Sequence, residues 1–242
     1  AIFLDGTPDV LTVPYLFVEN FQSGEDYYLS FYYTSFSRIL RGISFFVTIS
    51  LAGFYVALEG FHHEMMPTPF LISIASERNG VPFPAALEAF VLLLVFDLLR
   101  ETGVRMPTNI GQALSIVGAL VMGQAAVEAK LVASPMIIVI ATTGITSLLV
   151  PKMNAPVAYI RFFVLILSTM FGFTGTVASL SFVLIHLLNL HSFGIPQISI
   201  SGYLQYQDVK DTFIRAPWWQ MITRPKNLAA DRIRLRIHRG KN

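Results

Sequence analysis

PFPAALEAFVLLLVFDLLRETGVRMPTNIGQALSIVGALVMGQAAVEAKLVASPMIIVIA, running from Pro82 to Ala141, sets apolar runs on the scale of a bilayer beside a dense group of charges, Asp97, Arg100, Glu101 and Arg105. Such residues are expensive in hydrocarbon, so they face a protein interior or a water path and mark function. On a helix, Asp97 lies three residues from Arg100 and four from Glu101, so the three share a face. Glu101 reaches Arg105 where the helix frays before Pro107. Two readings fit this buried charge cluster: ion pairs that hold a helix end, or carboxylates that line an ion or proton path.

The next helix, Ile110 to Val127, runs eighteen residues without a charge. Gly111, Ser115, Ala119 and Gly123 recur every four residues, a small-residue ridge that lets another helix approach closely. On the opposite side Val117, Val121, Gln124 and Glu128 form a stripe that turns polar towards Ala129. Against lipid this stripe is an ordinary outer surface. In a ring of identical subunits it lines a pore, with the valines as a hydrophobic constriction and Gln124 and Glu128 as polar rings near the mouth. Spacing alone leaves both open.

Working outward, the 242-residue chain is 54% hydrophobic and 13% charged with a mean hydropathy of +0.60, which describes an all-α polytopic membrane protein. Apolar runs at Gly42 to Leu58, Ile110 to Val127, Pro135 to Val150 and Phe162 to Leu190 predict membrane spans. The last is long enough for one tilted helix with an extension, with Gly172 and Gly175 as kink points. A helix from about Pro84 to Thr102 has a charge-free core, Ala89 to Phe96, that is short for a span and reads as buried, re-entrant or tilted. The expected total is four to five transmembrane helices plus a short re-entrant or buried helix. Arg38 and Arg41 put the start of the first span inside, and a basic tail does the same for the C-terminus. Parity then favours four full spans, with Pro84 to Thr102 not spanning. That arrangement strands Arg100 and Arg105 outside, against the positive-inside tendency, unless they are buried in ion pairs.

The N-terminal run AIFL, DGTP, VLTV reads as strand, turn, strand and as the last edge of a soluble domain, so the chain is expected to be the C-terminal piece of a longer protein. Three regions follow. Residues 1–37 are the end of an N-terminal cytoplasmic domain and an interface segment, whose aromatics in FQSGEDYYLSFYYTSF suit the headgroup level. Residues 38–193 are the transmembrane helical domain. Residues 194–242 are a basic cytoplasmic tail: from Val209 onward the net charge is +7, against −5 before it. Trp218 and Trp219 read as membrane-interface anchors.

Other chemistries are disfavoured. There is no cysteine, and His62, His63 and Glu64 do not share a helix face or have a second ligand pair at metal-binding spacing. Neither GxSxG, HExxH nor a Walker glycine loop occurs, so no enzyme, metal or cofactor is expected. His186 reads as a satisfied interface histidine, and the basic tail carries no nucleic-acid motif.

Several strings, in order, resemble the A subunit of bacterial spore germinant receptors, the spore germination protein family: DGTP at Asp5 to Pro8, EDYY at Glu25 to Tyr28, GVPFP at Gly80 to Pro84, LRETGVRMP at Leu99 to Pro107, SIVGALVMGQAAVEA at Ser115 to Ala129, HSFGIP at His191 to Pro196 and KDTFIRAPWW at Lys210 to Trp219. The chain departs at Leu93, where many relatives carry an acid. The resemblance implies a multi-pass protein of the spore inner membrane. It implies a permease-like B subunit that binds the nutrient, a lipoprotein C subunit, and assembly of A subunits into a homo-oligomeric cation channel. It brings no catalytic residues. A non-conducting scaffold that docks the permease-like subunit is the alternative.

Overall fold

The computed structural model describes residues 2–3, 10–11, 13, 15–105, 118, 121–198, 211–212 and 214–217. Among them the architecture is mostly helical. The chain divides into two compact units, one made of Ala1–Ile43 and Val183–Asn242, the other of Ser44–Phe182.

In the first unit β1 (Ile2–Phe3) pairs antiparallel with β2 (Val10–Leu11), Ile2 opposite Leu11, as the apolar-turn-apolar pattern predicts. Two 3-10 turns follow, Phe17–Phe21 and Gly24–Tyr27. The Asp26 carboxylate accepts the Ser23 N–H at 3.1 Å, which closes the second turn on itself. Later in the chain β3 (His191–Ser192) pairs with β4 (Ile195–Pro196). The two residues between them, Phe193 and Gly194, have φ of 51° and 80°, the two-residue turn whose twist matches paired strands. The Tyr15 N–H donates to Ser192 Oγ at 3.2 Å and ties this hairpin to the N-terminal segment.

The helix α1 (Phe31–Phe61) begins well before the apolar run at Gly42, so the FYYTSF segment is helical. No proline or glycine interrupts Phe31 to Arg41, and the Ser35 hydroxyl returns to the Phe31 carbonyl at 2.8 Å. The second unit adds α2 (Thr68–Glu77), α3 (Ala85–Arg105), α4 (121–128), α5 (Ser134–Leu148) and α6 (Asn154–Asn189). Its core joins Ala52, Tyr55 and Val56 of α1 to Ala89 and Leu93 of α3, Met136 and Ile140 of α5 and Leu165 of α6. Alanine at these crossings lets backbones come close where lipid supplies no hydrophobic drive. Leu93 is completely buried in this core. An acid there would need a partner that the alanines and leucines around it do not supply.

Among the described residues two helical stretches are able, by length and composition, to cross a membrane, α1 and Pro151–Asn189. Two of their buried hydroxyls bond back within the helix: Thr48 donates to the Ser44 carbonyl at 2.7 Å and Ser168 to the Val164 carbonyl at 2.7 Å.

The second stretch is not one rod. Gly172 has φ 62° and ψ −140°, outside helical geometry. Ser168 Oγ and Thr176 Oγ1 lie 2.8 Å apart, and the Phe163 and Phe182 rings have centroids 5.6 Å apart. In a straight helix the first pair would be separated by about 12 Å and the second by about 28 Å. The α6 run therefore folds back at Gly172 into two antiparallel arms, a sharper event than the kink its glycines suggest. A Cβ on Gly175 would overlap the Leu167 carbonyl oxygen, so the returning arm needs glycine there as well.

Candidate functional site

Three clusters of charge or patterned polarity stand out, one in the first unit and two in the second. The first is built on Asp26. Arg41 grips its carboxylate as a fork, Nη1 and Nη2 donating at 2.9 Å each, and Arg38 Nε adds a third bond at 3.2 Å. The Arg38 side chain is fully buried. Its Nη1 turns to Asp211, donating to Oδ1 at 2.9 Å and to the Asp211 and Thr212 carbonyls at 3.2 Å. The Tyr27 hydroxyl donates to the other Asp211 oxygen at 2.7 Å. Arg215 Nη1 donates to the Asp26 and Leu29 carbonyls at 2.6 and 2.7 Å, and its guanidinium lies over the Tyr27 ring. Three arginines and two aspartates thus staple Asp211, Thr212 and Arg215 to the segment that opens α1. Sequence reading assigned Arg38 and Arg41 to the membrane flank and missed their partners, Asp26 and Asp211. The available signal is an acid, Asp26, within an aromatic stretch just before a helix whose basic residues, Arg38 and Arg41, stand at i and i+3.

Burial alone would raise the Asp26 carboxyl, but bonds from Arg41, the Ser23 N–H and Arg38 override it and hold it below the usual carboxylate value. A group depressed on folding contributes stability above its unfolded value, about 3.9, and loses it as pH falls through the lower folded value. The staple is therefore expected to be constant from neutral pH to about 5 and to weaken below about 4. Limited proteolysis of the C-terminal segment across that range checks it. An Asp26→Asn variant should start weaker and show a flatter acid response.

In the second unit, the cluster read from sequence is partly assembled. Asp97 Oδ1 pairs with Arg100 Nη2 at 3.0 Å, and Oδ2 with Arg161 Nη2 from α6. Arg161 is fully buried and also lies over the Phe96 and Phe162 rings, each 5.8 Å from its guanidinium carbon. Sequence reading used Arg161 only as a span boundary. Glu101 is exposed, and the Arg105 side chain lies outside the described residues.

For the patterned helix, Gly123 faces α5, where a Cβ would meet Ile137 at 3.8 Å. Val121, Gln124 and Glu128 are exposed. The remaining ridge and stripe positions, Gly111, Ser115, Ala119 and Val117, and the anchors Trp218 and Trp219 lie outside the described residues. Between α3, α4 and α5 sits a cavity of about 390 Å³ with apolar walls, among them Leu92, Phe96, Met122 and Ile137. Among the described residues these clusters bring no nucleophile and base together, and what they offer is charge placement and helix packing.

The family model described as Bacillus/Clostridium GerA spore germination protein matches residues 1–227. The chain belongs to the GerA family. Among curated relatives, the uncharacterized membrane protein YfkQ of Bacillus subtilis is 44% identical over 227 residues, 93% of this chain and 44% of the relative. Spore germination protein KA of the same organism is 44% identical over 244 residues, 100% of this chain and 44% of the relative. Spore germination protein B1 of Bacillus subtilis is 41% identical over 243 residues, covering 98% and 50%. The chain spans about half the length of the curated relatives it matches. No solved structure matches it. The GerA strings quoted from the sequence fall on the structural clusters: EDYY contains Asp26 and Tyr27, KDTFIR contains Asp211 and Arg215, and LRETGVRMP contains Arg100.

Proposed function

We propose that this GerA-family chain is the membrane part of a nutrient germinant receptor subunit that triggers spore germination by assembling into a ligand-gated cation channel. The observation that carries the proposal is the outward stripe of α4. Gly123 turns towards α5 while Val121, Gln124 and Glu128 are exposed. Polar side chains on the outside of a membrane helix are costly against lipid and comfortable in a water-filled ring of like subunits. Its partners in this reading are further copies of the chain, a permease-like B subunit and a lipoprotein C subunit in the spore inner membrane.

The fold-back at Gly172 also supports a topology. Counting α1, α3, the run at 110–127, α5 and both arms of α6 makes six crossings, an even number that leaves both termini inside. Arg100, Arg105 and Lys152 then fall inside with Arg38 and Arg41, in keeping with the positive-inside rule. The test of function is single-channel recording of the full-length parent protein in planar bilayers. A Val121→Ala, Gln124→Ala pair is expected to change the cation conductance several-fold. Unchanged currents from a correctly assembled oligomer would move the pore elsewhere. Silence from both proteins, with Arg100→Ala abolishing complex assembly, would favour the scaffold.

A further inference from the structure

The end of α1 carries a second charge cluster that neither conduction nor helix packing accounts for. Glu59 on α1 is 8% exposed and Glu88 at the start of α3 is 2% exposed. Arg78, from the turn after α2, sits between them. Its Nη1 pairs with Glu59 Oε1, and its Nη2 donates to Glu88 Oε1 at 3.0 Å and to the Phe83 carbonyl at 3.1 Å. The second Glu88 oxygen accepts the N–H of Ala133, the residue before α5, at 2.9 Å. Glu88 is therefore satisfied at both oxygens.

Glu59 is not. Its Oε2 is buried with no partner among the described residues. One helical turn earlier on the same face, Tyr55 is 9% exposed and its hydroxyl is buried and equally unpartnered. Tyr55 also lies within electrostatic reach of Arg78 and Glu88, the other two charges of the cluster. The other charged groups nearby are exposed: Glu77, whose Oε2 accepts the Ser134 hydroxyl at 2.9 Å, and Lys130, whose ammonium lies against Gly80.

Two buried carboxylates against one guanidinium leave a charge of −1, and an uncompensated buried charge is strongly unfavourable. The missing partner carries one positive charge and takes oxygen donors. We infer that Glu59 Oε2 and the Tyr55 hydroxyl bind a monovalent alkali cation, entering past the partly exposed Arg78. Hard oxygen donors suit such an ion. Among the described residues no group of three or more His, Asp or Glu side chains is placed to hold a metal ion, and a single positive charge is what the cluster lacks. Through Arg78 and Glu88 the ion would tie the end of α1 to the starts of α3 and α5, so occupancy stabilises the second unit by mass action.

The test is thermal unfolding of the full-length parent protein in detergent near neutral pH, in sodium, potassium or N-methylglucamine chloride at equal ionic strength. Sodium or potassium is expected to raise Tm saturably over N-methylglucamine. Tyr55→Phe, which keeps the ring and removes only the hydroxyl, is expected to raise the half-saturating concentration about tenfold, the weight of one bond to a charged group. Glu59→Gln balances the cluster one to one and is expected to give the same Tm in all three salts. A wild type indifferent to the cation would overturn the inference, as would variants that keep the full cation effect. So would a Tm that rises on mild acidification but ignores alkali ions, because a proton on Glu59 would then meet the charge. None of these readouts depends on conduction, so their failure leaves the channel reading untouched.

Discussion

Asp26→Ala is expected to destabilise the first unit by about 3–5 kcal/mol, because it strips a buried arginine of its carboxylate instead of removing a pair. Arg38 has a fully buried side chain and Arg41 spends both terminal nitrogens on Asp26. Without the acid, both guanidinium groups lose charge-assisted bonds that water cannot readily replace. Arg38 also holds Asp211, so the loss spreads to the C-terminal segment. The expected readout is a lower denaturant midpoint and faster proteolytic release of residues after 211. A charge-neutral deletion of the hub, Asp26→Ala with Arg41→Met, should recover part of the loss. Equal stability of wild type and Asp26→Ala would show that the arginines have other support.

Gly175→Ala is expected to open the fold-back of α6. The new methyl would overlap the Leu167 carbonyl oxygen, a rigid backbone atom that cannot move without unwinding its own turn. The cost exceeds the ordinary range for overpacking, about 1–3 kcal/mol. Gly172→Ala meets two obstacles, a φ of 62° that side chains resist and Phe61 Cγ at 2.9 Å. Cross-linking gives a direct reading, since the chain has no cysteine of its own. Cysteines at positions 163 and 182 should join readily through a short bifunctional thiol reagent. They should fail to join when Gly172 or Gly175 carries a methyl. Cross-linking that survives both substitutions would mean that the arms pack without the glycines.

Where helices lie was legible. The expected Pro84 to Thr102 became Ala85–Arg105, and Pro135 to Val150 became Ser134–Leu148. Prolines at the starts and long apolar runs fix these bounds locally. The aromatic segment before Gly42 reads as interfacial by residue type, and its backbone from Phe31 on is helical and continuous with the rest of α1.

The partners of the charges were much less legible. Asp97 and Arg100 share a helix turn and were found by spacing, whereas Arg161 reaches Asp97 from another helix. Asp26 with Arg38, Arg38 with Asp211, and Arg78 with Glu59 and Glu88 are pairings across loops or across most of the chain.

By itself the sequence determined what each segment is: apolar enough for a bilayer, helical between its prolines, basic at its tail and patterned as a GerA-family membrane region. These are local properties, set by composition and by the 3.6-residue period of a helix. Only the tertiary structure decided that α6 turns back at Gly172, that Asp26 is shared by Arg38 and Arg41, and that the end of α1 keeps an unbalanced carboxylate. The physical reason is that each depends on which distant groups arrive within about 3 Å, a distance at which backbone sterics and charge pairing act and which no spacing along the chain encodes.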